Sequence, residues 1–170
     1  MARDMPWRRA SKVAAIAVVV ACTFGVRAQQ GVTGKPAPNF SRVALDGKTV
    51  RLGDYRGRVV LLNFWATWCA PCQAELPHFA KWQRKYGAQG LQVIAVSMDD
   101  APAAPYALVR KIRPGYPVVM GDDALGTLYG GILGLPVTFL IARDGSVVER
   151  VEGETDLITL EMRVAKLLAR

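Results

Sequence analysis

Cysteine and histidine are scarce in this sequence. Its 170 residues contain three cysteines, Cys22, Cys69 and Cys72, and one histidine, His78. A structural zinc site usually needs four nitrogen or sulfur ligands, and covalent haem attachment needs a histidine directly after a C-x-x-C pair, where this chain has Gln73. His78 lies six positions past Cys72, too far to share its helix face, and is interpreted as a surface or half-buried side chain. The sequence therefore predicts no metal site and no cofactor.

Runs of basic residues with interleaved aromatics are also missing, although the formal net charge is +8. Five of the 22 basic residues lie in the first 28 positions, beside a single acidic residue, so the remainder carries a net charge of only +4. We therefore expect no nucleic-acid partner. The 51% hydrophobic and 21% charged content is typical of a folded globular chain, and the length allows one domain of ordinary size.

No hydrophobic run reaches the roughly 20 residues of a membrane-spanning helix. The apolar stretch near the N-terminus, residues 13–26, follows Arg8, Arg9 and Lys12 and precedes a small-residue site ending at Ala28. This pattern predicts that residues 1–28 are a signal peptide or an N-terminal membrane anchor. Cleavage after Ala28, lipidation at Cys22 and retention as an anchor stay open. Each places the protein in the periplasm or on the outer face of the cytoplasmic membrane, where membrane association would occur through the N-terminus.

Strand and helix patterns alternate through the rest of the chain. Residues 29–34 are rich in glycine and polar side chains and are interpreted as a linker, which leaves 35–170 as the folded domain. Strands are expected at 49–52, 59–65, 91–98, 117–120, 137–141 and 146–151, and helices at 69–86, 103–113, 124–129 and from about 157. The apolar run 59–65 fits a central strand buried on both faces. The order of elements predicts an α/β fold with a mixed sheet.

The cysteine pair Cys69 and Cys72 follows the central strand and opens a helix. A disulfide that encloses two residues stabilises a fold little, because its effect grows with the length of the closed loop. The pair is therefore interpreted as a reactive dithiol and not as a disulfide that stabilises the fold. The unpaired N–H groups and the dipole of a helix N-terminus favour a thiolate there. We expect Cys69 to be the exposed attacking thiol and Cys72, one turn inside, to be the resolving thiol.

The stretches "FWATWCAPCQAELP" and "GLPVTFLIARDG" resemble the thioredoxin superfamily, and specifically its TlpA/ResA-like group of exported thiol-disulfide oxidoreductases. The preceding "GKPAPNFSRVALDGKTVRLGDYRGRVVLLNFW" is similar to the redoxin-type N-terminal extension of that group. The similarity runs from about Lys35 to the C-terminus. It implies a thioredoxin-like mixed central sheet flanked by helices on both faces, with an N-terminal redoxin-type β extension.

The resemblance also implies roles for four residues beside the dithiol. Leu135 and Pro136 would form a cis-proline loop that pairs with the backbone of a substrate. Glu75 would exchange a proton with the resolving thiol, and Trp68 would be an apolar platform for a partner. Ordinary alternatives are a trans loop proline, a solvent-facing acid at position 75 and a packing role for Trp68. Asn63 occupies the position of the buried aspartate of cytoplasmic thioredoxin, and an asparagine cannot carry a proton.

The activity expected from this resemblance is reduction of protein disulfides by the C-A-P-C dithiol. Neutral Ala70 between the sulfurs favours a reductant. Family members often reduce apocytochrome c, which makes cytochrome c maturation an expected setting and a membrane thiol-electron donor an expected partner. A redoxin-type thiol peroxidase is one alternative, but Leu62 and Ala66 replace the proline and threonine of its P-x-x-x-T-x-x-C motif. A Sco-like copper-delivery module would need a C-x-x-x-C pair.

Overall fold

The computed structural model describes residues 31–170. The predicted leader, residues 1–28 with Cys22, lies outside this range. Of the expected linker, the described residues contact the domain: Val32 is buried, and the N–H of Gly34 donates to the carbonyl of Val147 at 2.8 Å. Within the described range, no helix combines the length and the apolar character that a bilayer span requires.

A five-stranded mixed sheet forms the centre of the domain, in the order β5-β4-β3-β6-β7. Strands β3, β4 and β5 are parallel, and β6 and β7 are each antiparallel to the preceding strand of that order. A separate antiparallel pair, β1 and β2, precedes this sheet. The strands are β1 Ser41–Val43, β2 Thr49–Arg51, β3 Val59–Trp65, β4 Leu91–Ser97, β5 Val118–Met120, β6 Val137–Ile141 and β7 Val147–Glu152.

Four α-helices cover the two faces of the sheet. They are α1 Ala70–Tyr86, α2 Ala103–Ile112, α3 Asp123–Leu128 and α4 Leu157–Leu168. The carboxylate of Asp156 accepts a hydrogen bond from the N–H of Ile158, so Asp156 is the N-cap of α4. The predicted α/β class, mixed sheet and flanking helices are confirmed, as is the β extension ahead of them. The three-residue strand β1 was not predicted.

Strand β3 is buried along its whole length because both of its faces are covered, as its apolar run predicts. Alternate side chains enter two separate cores. Leu61 and Trp65 pack with α1 and α4, whereas Leu62 and Phe64 pack with α3 and the N-terminal extension. By the same alternation, Asn63 lies on the face covered by α1. The extension also covers the edge of the sheet, because the N–H of Leu45 donates to the carbonyl of β5 residue Val118.

The sheet also has two borders at which its strands begin and end. These two borders, called edges from here on, differ in what they contain. Strands β3 and β4 end at one edge, and α1 begins there. The chain enters the domain at the opposite edge, where Pro36 pairs with Ser146 beside the turn between β6 and β7. The carboxyl ends of adjacent parallel strands are a common place for binding sites in such sheets. This edge therefore contains the site described next.

Candidate active site

The two cysteines lie at the N-terminus of α1 and are joined by a disulfide bond. Cys69 is the N-cap residue with extended backbone, and its Sγ accepts a hydrogen bond from the N–H of Cys72 at 3.3 Å. Pro71 fits in the first turn because the N–H that it lacks would have no partner within the helix. The arrangement places a sulfur where the helix offers unpaired donors and a positive dipole end.

The expectation that Cys69 is an exposed residue is wrong for this disulfide form. Cys69 is 5% exposed and Cys72 is fully buried. The Sγ of Cys69 is directed inward, toward Cys72 and the first turn of α1, so little of the residue reaches solvent. Cys69 is nevertheless the more exposed residue of the two. Its neighbour Trp68 is 71% exposed, which excludes a packing role for most of the indole surface.

Glu75 is buried one helical turn after Cys72, so it is not a solvent-facing acid. Burial and, to a smaller extent, the negative charge of Glu154 raise the pKa of Glu75 from 4.5 to about 7. A hydrogen bond from the backbone of Thr155 acts in the opposite direction. The Oε2 atom is buried without a hydrogen-bond partner. A carboxyl group in this condition can take up and release a proton near neutral pH.

The Leu135–Pro136 peptide bond is cis, as predicted. Pro136 is buried, and its carbonyl accepts a hydrogen bond from the N–H of Gly153 at 2.8 Å. Leu135 is half-buried and packs against both cores, including the one that contains the two cysteines. This loop therefore packs against the core that contains the dithiol, and the loop after β7 approaches Glu75 through Glu154 and the backbone of Thr155.

Asp99, at the end of β4, belongs to the site but was missed in the sequence. Its carboxylate accepts hydrogen bonds from the N–H of Thr67 at 3.0 Å, from the Thr67 hydroxyl at 2.5 Å and from the Ser97 hydroxyl at 2.7 Å. The side chain of Gln73 donates to the Thr67 carbonyl. The backbone N–H and the backbone carbonyl of Thr67, the residue before Trp68, are therefore both hydrogen-bonded. The sequence did contain a signal for Asp99. It follows the buried strand β4, as Cys69 follows the adjacent parallel strand β3.

A buried polar pair lies between β3 and β6, close to the cis proline. The Asn63 side-chain amide donates to the Thr138 hydroxyl at 3.0 Å, and its Oδ1 has no partner. His78 is exposed on α1, in agreement with the surface position expected for it. Within residues 31–170, no three side chains of histidine, cysteine, aspartate or glutamate gather as candidate metal ligands.

Residues 33–150 match the AhpC/TSA family model. The thiol-disulfide oxidoreductase ResA of Bacillus thuringiensis subsp. konkukian is 37% identical over 136 residues, which are 79% of this chain and 78% of the relative. Among solved structures, a Chlorobium tepidum protein assigned as the thiol:disulfide interchange protein DsbE has a TM-score of 0.75 at 34% identity, covering 80% of this chain and 97% of its own. The exposed lipoprotein thioredoxin Etrx1 of Streptococcus pneumoniae has a TM-score of 0.66 at 25% identity, covering 76% and 100%.

Proposed function

The chain belongs to the AhpC/TSA family and is a protein thiol-disulfide oxidoreductase of ResA/DsbE type, and from this premise we propose that it reduces protein disulfides outside the cytoplasm. The observation that carries the proposal is the Cys69–Cys72 pair at the start of α1, with the buried Glu75 carboxyl one turn further on. It offers an attacking sulfur, a resolving sulfur and a proton acceptor within two turns of one helix.

The reduction begins with the Cys69 thiolate, which the N-terminus of α1 stabilises. Its sulfur attacks one sulfur of the substrate disulfide, the substrate S–S bond breaks, and the second substrate sulfur leaves as a thiolate that takes a proton. A mixed disulfide between Cys69 and the substrate results. Because Cys72 is fully buried, only Cys69 offers a sulfur that a macromolecular substrate can reach.

Glu75 serves the second step. Its carboxylate takes the proton of the Cys72 thiol, directly or through one water, and the Cys72 thiolate attacks the Sγ of Cys69. The mixed disulfide breaks, the substrate leaves with both sulfurs reduced, and the Cys69–Cys72 bond forms. Two electrons have passed from the protein to the substrate. With a pKa of about 7, Glu75 is close to half ionised at neutral pH and so can accept this proton and later release it.

Trp68 and the Leu135–Pro136 loop serve substrate binding in this proposal. The exposed indole of Trp68 lies next to the attacking cysteine and offers an apolar surface to an incoming chain. The backbone beside Pro136 pairs with an extended segment of the substrate. The favoured substrate is an oxidised C-x-x-C segment such as that of apocytochrome c. Re-reduction of the disulfide requires a membrane thiol-electron donor.

Export through residues 1–28 is part of the proposal. The basic and then apolar pattern of this segment supports it, and the similar Etrx1 structure is named as an exposed lipoprotein. Mass spectrometry of the N-terminal peptide, after separation of membrane and periplasmic fractions, distinguishes the three forms. A mature chain beginning at Gln29 indicates cleavage, a lipid on Cys22 indicates lipidation, and an intact leader indicates an anchor. Recovery from the cytoplasm alone contradicts export.

Capture of the substrate tests the order of attack. A Cys72→Ser variant lacks the resolving thiol, so it should accumulate a covalent adduct that a small dithiol releases. The matched Cys69→Ser variant should give no adduct and no turnover, since its remaining sulfur is buried. Adducts of equal yield from the two variants would refute the assigned roles. The same reduced protein should not consume hydrogen peroxide faster than a free thiol, which separates it from the thiol peroxidases.

A further inference from the structure

The proline loop, which we define as residues 129–136, has backbone hydrogen bonds at its two ends and none in its middle. None of the hydrogen bonds found among the described residues involves the backbone of residues 132–135. At the far end, the Pro136 carbonyl accepts from the N–H of Gly153. Leu133 in the middle is 98% exposed. Apart from the packing of Ile132 and Leu135 against the core, the direction of this backbone therefore depends on the hydrogen bonds at the two ends.

Arg150 on β7 anchors the near end. Its Nη1 donates to the carbonyl of Tyr129 at 3.0 Å and to that of Gly130 at 3.4 Å, and its Nη2 donates to the carbonyl of Gly131 at 2.7 Å. One guanidinium thus binds three consecutive carbonyls at the point where α3 ends. The Nε atom lies 2.7 Å from the Glu152 carboxylate, as an ion pair without the alignment of a hydrogen bond.

An arginine suits this position because its two Nη atoms together bind three carbonyls of a turning chain. Gly130 and Gly131 both have positive φ angles, 85° and 82°, so the chain turns sharply after α3. A planar fork with several fixed donors can span such a turn, whereas an ammonium group acts from one position. The guanidinium also lies 5.5 Å from the centre of the Phe139 ring, and its side chain is only 17% exposed. Packing and charge therefore hold the fork in one place.

We propose that Arg150 is a positioning residue for substrate recognition, which sets the orientation of the proline loop for pairing with the main chain of a protein disulfide. The inference rests on the proposed function. Both anchors of the loop, Arg150 and Gly153, lie within one segment at the end of β7. A protein substrate uses the loop backbone, but a small disulfide needs only the sulfur of Cys69. Loss of Arg150 therefore affects the two kinds of substrate differently.

The test compares two disulfides in the reduced full-length protein. The variants are Arg150→Met, which keeps the aliphatic stem, and Arg150→Lys, which keeps the charge. Arg163→Met is the matched control, because Arg163 forms an ion pair with Glu149 away from the loop. For each protein, kcat/KM is measured with insulin, and the second-order rate constant is measured with glutathione disulfide. Amide hydrogen exchange of Gly130 and Gly131 is recorded in parallel, since their N–H groups bond to Thr127 and Gly126.

We expect Arg150→Met to lower the ratio of the insulin to the glutathione disulfide rate about tenfold, through a higher KM for insulin, and Arg163→Met to leave it unchanged. Exchange at Gly130 and Gly131 should become faster only in the Arg150 variants. A fall of less than threefold in that ratio, or unchanged exchange, overturns the proposal. If Arg150→Met does not fold, Arg150→Lys is judged by the same two limits. An unmodified protein that reduces neither disulfide refutes the proposed function instead, whatever the exchange shows.

Discussion

At the scale of single residues, the proton that Glu75 is proposed to exchange with the dithiol also affects the stability of the protein. The carboxyl group is buried, and one of its oxygens has no partner. The folded protein therefore favours the neutral form, which is the cause of the raised pKa. If this position served packing alone, an apolar side chain would fill it without leaving a buried polar atom unpaired. The unpaired oxygen is instead consistent with transient proton transfer from Cys72.

Replacement of Glu75 by glutamine should change the pH dependence of stability. In the unmodified protein the folded pKa of about 7 exceeds the ordinary value of 4.5, so the folded state binds more protons between these values. The contribution of Glu75 to the unfolding free energy is full below pH 4.5 and is lost as the pH rises through 7. Relative to the unmodified protein, Glu75→Gln should gain about 3 kcal/mol between pH 4 and pH 8.

Denaturant unfolding at a series of pH values, with the disulfide intact, measures this difference. Glu154→Gln serves as a companion variant, because removal of the nearby charge should shift the transition of Glu75 to lower pH. A constant difference between Glu75→Gln and the unmodified protein from pH 4 to pH 8 would show that the pKa of Glu75 is not raised.

The sequence was sufficient to predict residues whose roles follow from a local motif. Cys69, Cys72 and the cis Pro136 belong to that group, although their catalytic and binding roles stay predictions. Asp99 and Arg150 escaped prediction because each acts on a segment distant in the chain, across the sheet. The prediction that Cys69 is exposed was wrong for a related reason. Whether a sulfur is covered depends on tertiary packing, which spacing in the sequence does not determine.

At the scale of elements, hydrogen bonds between two loops fix the start of α1. Thr67 lies in the loop after β3 and Asp99 in the loop after β4, and the hydrogen bonds between them join the ends of neighbouring parallel strands. The loop between Thr67 and α1 has only Trp68 and the N-cap Cys69 in it. The position of the Cys69 sulfur is therefore set by β4 as well as by its own strand.

A double-mutant cycle measures the strength of the interaction between Thr67 and Asp99. Asp99→Ala should lower the unfolding free energy by about 2 kcal/mol, because it removes a charged acceptor from several donors. Thr67→Val removes only the hydroxyl and keeps the shape of the side chain. The two changes share one hydrogen bond, so their combined effect should be about 1 kcal/mol smaller than the sum of the single effects. Strict additivity would show that the Thr67 hydroxyl and the Asp99 carboxylate do not interact.

Elements with a long apolar pattern were predictable, and so were the short β2, β5 and α3, whereas the short strand β1 was not. The run of β3 and the helical spacing in α4 identified their elements within a residue or two. Strand β1 has three mostly exposed residues and exists because it pairs with β2. Its sequence has no alternation to recognise. Helix α1 begins one residue later than expected because Cys69 takes the N-cap conformation.

At the scale of the whole molecule, Tyr129 joins the N-terminal extension to the sheet. Its ring is fully buried and contacts Phe40, Phe64 and Phe139. Its hydroxyl donates to the carbonyl of Pro38 at 2.7 Å, and burial raises the pKa of this phenol. One side chain thus spans from the end of α3 to the segment that precedes β1. The extension is in this way part of the core on that face of the sheet.

Removal of the Tyr129 hydroxyl should weaken this junction. Tyr129→Phe keeps the ring contacts and leaves the Pro38 carbonyl without that donor, so we expect a loss of about 1 kcal/mol in unfolding free energy. Tyr106→Phe is the control, since Tyr106 is 46% exposed and should change stability little. Unfolding should stay a single transition in both variants. An equal effect of the two substitutions would show that the bond to Pro38 contributes nothing.

The edge at which the chain enters the domain has a further consequence. Pro36 pairs with Ser146 there, and the guanidinium of Arg143, in the same turn, donates to the carbonyl of Leu168 at the end of α4. Both ends of the folded domain therefore leave it on the side away from the sulfurs. A molecule held on a bilayer or a chromatography bead by either end would direct its dithiol toward the surrounding liquid, free to meet partners.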